Sequence, residues 1–452
     1  MSGAMRIVIL HFIFYFFLSD MFSQEAKYAN TDSLLVDLHI LTTTLRDNHP
    51  LMYRYTTKER FDNLVQRTEL QIKNGVTPSL WYASVSKLLR SIGCGHTKAL
   101  PTTEATERLN WTNDLPFDIV IIDSAIYVSK AYSEKSKPFV GRQIIRINDA
   151  PVERFIGSAY NYISADGYNQ TYKAYTLAHQ FNFYLNMLIG NPDTLYFESP
   201  GGDFKIGYPT GYIRGEQEDV ATTFSELPDV PHTMLLTVPD FDDDKSKLKK
   251  CFQYISEHDI QHLIIDLRDN GGGNGNIGTD LVAYIIDTTL TYYIDKKIAP
   301  LQYKDYISDR QGILISNKYI QPDSLTRSYY FTIKPEVKYH YEGEVYVITN
   351  GGTFSTGAFV ASALKHLAGA TFIGEETGGC EYGIGGGVIG TLTLPYTGLR
   401  VHIPMYGWRF NTIATDTGRG VMPDVTVRKR PEDFISGGDP VMEKAKEMIG
   451  DQ

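Results

Sequence analysis

The chain has 452 residues, 42% hydrophobic and 21% charged, with a formal net charge of −10. This is the make-up of an ordinary globular protein with room for two or three domains, and it excludes a disordered, collagen-like or disulfide-stapled chain. Lysines and arginines are scattered, as at Lys245, Lys247, Lys249 and Lys250 beside a run of aspartates, so no basic stripe marks a nucleic-acid surface and no nucleic-acid partner is expected.

The N-terminus carries a localisation signal. Met5-Arg6 precedes Ile7-Val8-Ile9-Leu10 and Phe12-Ile13-Phe14-Tyr15-Phe16-Phe17-Leu18, followed by Ser19 and Ser23. One basic residue, a short apolar run and small residues after it fit a secretory signal peptide over residues 1–23. The run is shorter than the roughly 20 residues a membrane span needs. The expectation is an exported protein, periplasmic or secreted, with no membrane span in the mature chain; an uncleaved anchor is the alternative. No cysteine stands at the expected cleavage site. The chain holds three cysteines, Cys94, Cys251 and Cys380, an odd number, and no cysteine or histidine spacing of a metal site. No metal or cofactor is expected.

Three blocks follow. Residues 24–105 read as a helical unit: Leu34, Leu35, Leu38, Leu41 and Leu45 recur at helical spacing, Phe61, Leu64 and Leu70 partly continue it, and Ser79-Leu80-Trp81 opens a further helix. Residues 106–210 read as a small β-rich module. Ile119-Val120-Ile121-Ile122 and Ala125-Ile126-Tyr127-Val128 are short strands split by a turn at Asp123-Ser124, and Asn148-Asp149 marks another turn. Residues 211–452 read as an α/β domain: Leu263-Ile264-Ile265-Asp266-Leu267 and Val345-Tyr346-Val347-Ile348 are near-continuous apolar strands, with helical patterns over residues 277–286 and 357–367.

Three motifs could carry chemistry. Thr349-Asn350-Gly351-Gly352-Thr353-Phe354-Ser355-Thr356-Gly357 joins an apolar strand to a helix. A serine there can offer its hydroxyl at a helix N-terminus, where backbone N–H groups favour a developing oxyanion. The competing reading is a plain helix cap. Asp266-Leu267-Arg268-Asp269-Asn270-Gly271-Gly272-Gly273 ends a strand in a glycine run that lets amides approach a ligand. Gly273, Gly275 and Gly278 formally match a dinucleotide fingerprint, which the export signal argues against. Gly93-Cys94-Gly95-His96-Thr97 presents a histidine between glycines, as a general base or as a structural imidazole.

In order along the chain, these motifs resemble those of the C-terminal-processing (tail-specific) serine peptidase family, in the branch related to the tricorn protease core. Gly374-Glu375-Glu376-Thr377-Gly378-Gly379 and Gly420-Val421-Met422-Pro423-Asp424 resemble two further motifs of that family. Residues 140–152 resemble part of a PDZ domain. The resemblance implies a crotonase/ClpP-like catalytic domain of β-β-α units in an α/β (α+β) multidomain chain, with the N-terminal helical unit and a PDZ-like module. It implies Ser355 as nucleophile, His96 as general base, and an oxyanion hole from the amides of Thr356 and of Gly271 or Gly272. An acidic residue, Asp416 first and Asp424 second, would orient His96. Cys380 stands where a lysine-dependent branch offers lysine, the family's usual glutamate near the fifth motif is missing, and Cys94 replaces an acid. Cys94 and Cys380 flank the two halves of the site, where they either form a disulfide or stand as two independent small residues. The implied activity is hydrolysis of peptide bonds in a peptide or protein substrate; the alternative is a binding protein of the same fold with a dead site.

Overall fold

In the computed structural model the described residues are 30–101, 115–190, 192–207, 220–242, 245–308, 319–320 and 323–450. The expected signal segment lies outside them.

The two apolar strands sit at the centre of a six-stranded sheet. Its order is Val425–Thr426, Thr371–Gly374, Glu344–Thr349, His262–Asp266, Thr233–Thr237, Thr223–Glu226, parallel except for the last strand. Both faces are covered, which is why these strands read as continuous apolar runs rather than alternating ones. Leu263, Ile265, Val345 and Val347 pack under the helices Ser246–Glu257, Gly275–Ala283 and Thr356–Leu367. Ile264, Tyr346 and Ile348 point the other way, onto Val441, Ala445 and Ile449 of the C-terminal helix Pro440–Gly450.

A second, antiparallel sheet of seven strands lies against this layer. Ile294, Val388 and Tyr406 join the core of the parallel layer, whereas Leu392, Val401 and Ile403 join the core of the N-terminal helices. Those helices, Thr31–Asn48, Lys58–Lys73 and Pro78–Arg90, follow the leucine spacing. The side chains of Asn30, Thr57 and Thr77 cap them by accepting from first-turn amides, and Pro78 opens the third. The strand Lys98–Leu100, directly after the histidine loop, pairs with the strand Arg400–Arg409. The histidine loop is therefore fixed by a backbone ladder as well as by apolar packing.

The middle block has its own core around Ile126, Phe155, Leu177, Leu185 and Phe197. It holds a three-stranded and a four-stranded sheet and the helices Val152–Ala159, Thr171–His179 and Phe181–Ile189. The expected turn at Asp123-Ser124 joins the strands Phe117–Ile122 and Ala125–Ala131, and both residues have positive φ, the signature of a tight hairpin. Phe117–Ile122 is an edge strand of the three-stranded sheet. No helix among the described residues is long and apolar enough to cross a membrane.

Candidate active site

The strand Glu344–Thr349 delivers the chain into the glycine turn, and the helix Thr356–Leu367 leaves it. Ser355 stands at the junction with φ +53° and ψ −120°. A non-glycine residue held there costs about 1–3 kcal/mol, a strain that surrounding contacts must impose. The Ser355 side chain makes no capping bond to the helix, which removes the cap reading. It meets His96 instead: Nε2 lies 3.1 Å from Ser355 Oγ, across 259 positions of sequence. The Thr356 N–H opens the helix and belongs to the first turn, whose amides lack intrahelical acceptors. It lies beside Ser355, where an oxyanion donor was expected.

The Asp-Leu-Arg-Asp-Asn-Gly-Gly-Gly segment braces this junction. Asp266 accepts from the Arg268 backbone amide and three times from its guanidinium, and Arg268 also pairs with Asp439. Thr353 Oγ1 donates to the Leu267 carbonyl, and Phe354 N donates to the Asn270 carbonyl. Buried Asn270 accepts from Gly272 N through Oδ1 and donates to the Val238 carbonyl. The Gly272 amide is thus engaged, which leaves Gly271 as the open one of the two expected oxyanion donors. The third glycine of the dinucleotide-like pattern, Gly278, packs against Thr356 and Val360: a Cβ there would stand 2.5 Å from Thr356 Cγ2. Close helix packing accounts for it.

His96 is partly buried and stacks on Phe354, ring centroids 4.5 Å apart, and Phe354 stacks in turn on Tyr172 at 4.4 Å. Burial, and then the charges of Lys98 and His402, hold the imidazole down at about 3, so it is neutral at pH 7 and can accept a proton. Its Nδ1 is buried and has no hydrogen-bond partner among the described residues.

Asp416 makes its bonds elsewhere. It accepts from Arg54 Nε at 2.5 Å, Tyr55 OH at 2.9 Å and Gly418 N at 2.9 Å. Asp424 accepts from Lys365 and from Phe372 N. Neither aspartate forms a hydrogen bond to His96 among the described residues.

Sequence reading missed Asp166. The segment 164–169 leaves the middle block and threads between the histidine loop and the C-terminal motifs. Gly167 N donates to the Gly93 carbonyl and Tyr168 N to the Gly418 carbonyl, while Asn169 donates to Glu376 and to the Thr377 carbonyl. Glu376 also binds Arg419 and Gly420 N, which ties the fourth and fifth motifs together. Asp166 is 3% exposed and accepts from Gly95 N at 2.8 Å and Cys380 N at 3.4 Å. Side-chain donor atoms of Cys94, His96 and Asp166 lie within 4.8 Å of one another. The only local signal for this segment was a polar turn, Asp166-Gly167-Tyr168-Asn169, between helical stretches.

Of the two readings for Cys94 and Cys380, the structure has the independent residues and not the disulfide: Cys94, Cys251 and Cys380 are all free and buried. Asp166 touches the Cys94 and Cys380 loops from between them, and Cys380 Sγ contacts Tyr55 OH at 3.3 Å instead.

A strained serine at a helix start, bonded to a neutral histidine beside the first amides of the helix, has the geometry of a serine hydrolase site. Residues 232–427 match the model of peptidase family S41, and the chain is a serine-type peptidase similar to that family over this stretch. Among solved structures, mature CPAF in complex with lactacystin is similar at 14% identity and a TM-score of 0.66, over 93% of this chain and 99% of that one. A candidate peptidase of Parabacteroides merdae is similar at 16% identity and a TM-score of 0.51, over 93% and 97%. At these identities the likeness concerns the fold. No curated protein matches the chain.

Proposed function

We propose that the protein is an exported endopeptidase that cleaves peptide bonds through Ser355 and His96. The observation that carries this reading is the 3.1 Å contact between His96 Nε2 and Ser355 Oγ at a serine that caps nothing. In the reaction, Ser355 Oγ attacks the scissile carbonyl carbon while its proton passes to His96 Nε2. The carbonyl π pair moves onto oxygen, where the amides of Thr356 and Gly271 receive it. Collapse of this intermediate expels the amine, which takes the proton back from His96, and water then hydrolyses the acyl-enzyme by the same route.

The substrate is an extended or C-terminal stretch of a peptide or protein. A cleft of about 570 Å³ supports this; Ile119 and Ile121 of the edge strand, Tyr175 of the helix Thr171–His179, and Asp269 and Gly351 of the catalytic loops line it. A peptide adding to the free edge of Phe117–Ile122 would run along that cleft. This gives the middle block the role of a PDZ-like module, attached to a catalytic domain of the crotonase-like spiral type. Export is supported by the basic and apolar N-terminal segment.

Fluorophosphonate labelling of the purified protein, read by peptide mass spectrometry, tests the reading. The expected adduct is on Ser355, absent from Ser355→Ala and greatly slowed in His96→Ala. A folded protein that takes no adduct would refute it.

A further inference from the structure

A histidine that takes a proton at Nε2 needs a partner for its Nδ1–H and an anion to balance the imidazolium. His96 Nδ1 has neither hydrogen-bond partner nor solvent among the described residues. Of the nearby carboxylates, Asp416 is committed. Its Oδ2 is bound by Arg54, and its Oδ1 accepts from Tyr55 and Gly418, so a full cation already balances it. Asp166 is the opposite case. It is buried, it forms no ion pair with lysine or arginine among the described residues, and only two backbone amides address its two oxygens. A carboxylate offers about four lone pairs, so acceptor capacity remains. One of those amides belongs to Gly95, the residue before His96, so the carboxylate is anchored to the same loop as the imidazole.

We propose that Asp166, supplied by the middle block, is the positioning residue of His96, accepting its Nδ1–H and balancing the imidazolium formed as Ser355 attacks. The assignment rests on the Ser355–His96 reading above. The separation of at most 4.8 Å between Asp166 and a His96 ring nitrogen closes by a small rotation of either side chain, as catalytic hydrogen bonds commonly tighten once substrate is bound. No proton moves to Asp166; the Ser355 proton stays on His96 until the leaving amine takes it. Burial raises the Asp166 carboxyl to about 6, against the lowering by its two amides and by Arg54. Arg54 is itself bound to Asp416, so the imidazolium formed in the reaction would be the first cation to contact Asp166 directly. The arrangement also makes the middle block a structural part of the catalytic centre, so a protein without a docked middle block would lose rate as well as substrate affinity.

The test compares fluorophosphonate labelling rates of Ser355 in the full-length wild type, Asp166→Asn and Asp416→Asn, with folding checked by thermal melts. Asp166→Asn is expected to label about a hundredfold or more slowly, with the deficit shrinking at high pH as hydroxide replaces the base, and Asp416→Asn within about tenfold of wild type. Labelling of a folded Asp166→Asn within about threefold of wild type, or a larger loss with the same pH signature in Asp416→Asn, overturns the assignment while leaving the serine peptidase reading intact. A wild type that does not label overturns both. If Asp166→Asn does not fold, the wild-type proton NMR spectrum decides. A strongly downfield imidazole N–H resonance, lost in His96→Ala, supports the assignment, and its absence overturns it.

Discussion

Gly272 and Ser355 approach so closely that a Cβ on Gly272 would stand 2.5 Å from Ser355 Cβ and 3.0 Å from both Ser355 Oγ and Thr356 N. Gly272 also has φ +109°, a conformation L side chains rarely adopt. Gly272→Ala is therefore expected to lose about 1–3 kcal/mol of stability and to slow Ser355 labelling by at least about tenfold. Gly157→Ala, in the helix Val152–Ala159, is the control. Its Cβ would meet nothing within 4 Å, so labelling and melting temperature should stay near wild type. Equal losses in the two variants would mean that the close approach does not shape the nucleophile.

The pH profile carries a sign that can be checked. The carboxyl of Asp166 is raised to about 6, first by burial and also by Asp416, against lowering by the Gly95 and Cys380 amides and Arg54. The thiols of Cys94 and Cys380, His96 and Tyr172 are the further titratable groups around it. The anion is the useful form, so the labelling rate is present above about pH 6 and falls as pH drops through that value. His96 itself, held at about 3, titrates too low to produce this limb. Labelling rates between about pH 4 and pH 9 should show the limb in wild type and not in Asp166→Asn. A limb unchanged in the variant would assign it to another group.

The two halves of the site differed in how far the sequence announced them. The strands around Leu263 and Val345 are buried on both faces, so their apolar runs are visible, and Ser355 follows in a glycine turn that by itself reads equally as a helix cap. The contact of Ser355 with His96 could be read only from the joint order of motifs, because no periodicity links residues 259 positions apart. Asp166 was not legible at all. It stands in a short polar turn like many others, and its importance comes from where Gly167, Tyr168 and Asn169 dock. The expected role of Asp416 rested on its position near a motif, and sequence position cannot show that Arg54 and Tyr55 bind it.

That Arg54 cluster is expected to act on stability. Arg54 donates to Asp416 and to the Gly383 carbonyl and stacks over the rings of Tyr55 and Tyr382, both at 5.0 Å. The paired side chains are only 12% and 22% exposed, so removing the guanidinium strands a largely buried carboxylate. Arg54→Ala should cost about 2–4 kcal/mol in denaturant unfolding. Protein that remains folded should still label at Ser355 within about tenfold of wild type, because neither Arg54 nor Asp416 contacts His96. A stable variant with abolished labelling would place Asp416 in the catalytic step after all.

The thiols give an independent check on how the loops meet. Cys94 and Cys380 are each 1% exposed and Cys251 is fully buried. Burial, and for Cys94 also the Asp166 charge, pushes the Cys94 and Cys251 thiols up to about 12 and the Cys380 thiol to about 11. Reactivity follows the thiolate, so none should react with a disulfide reagent in the native protein, even in an oxidising compartment. All three should react once denaturant exposes them, without prior reduction. Only one reactive thiol in the unfolded, unreduced chain, mapped to Cys251, would mean that Cys94 and Cys380 are paired. Asp166 would then have to leave its place between their loops, and the proposed support of His96 would go with it.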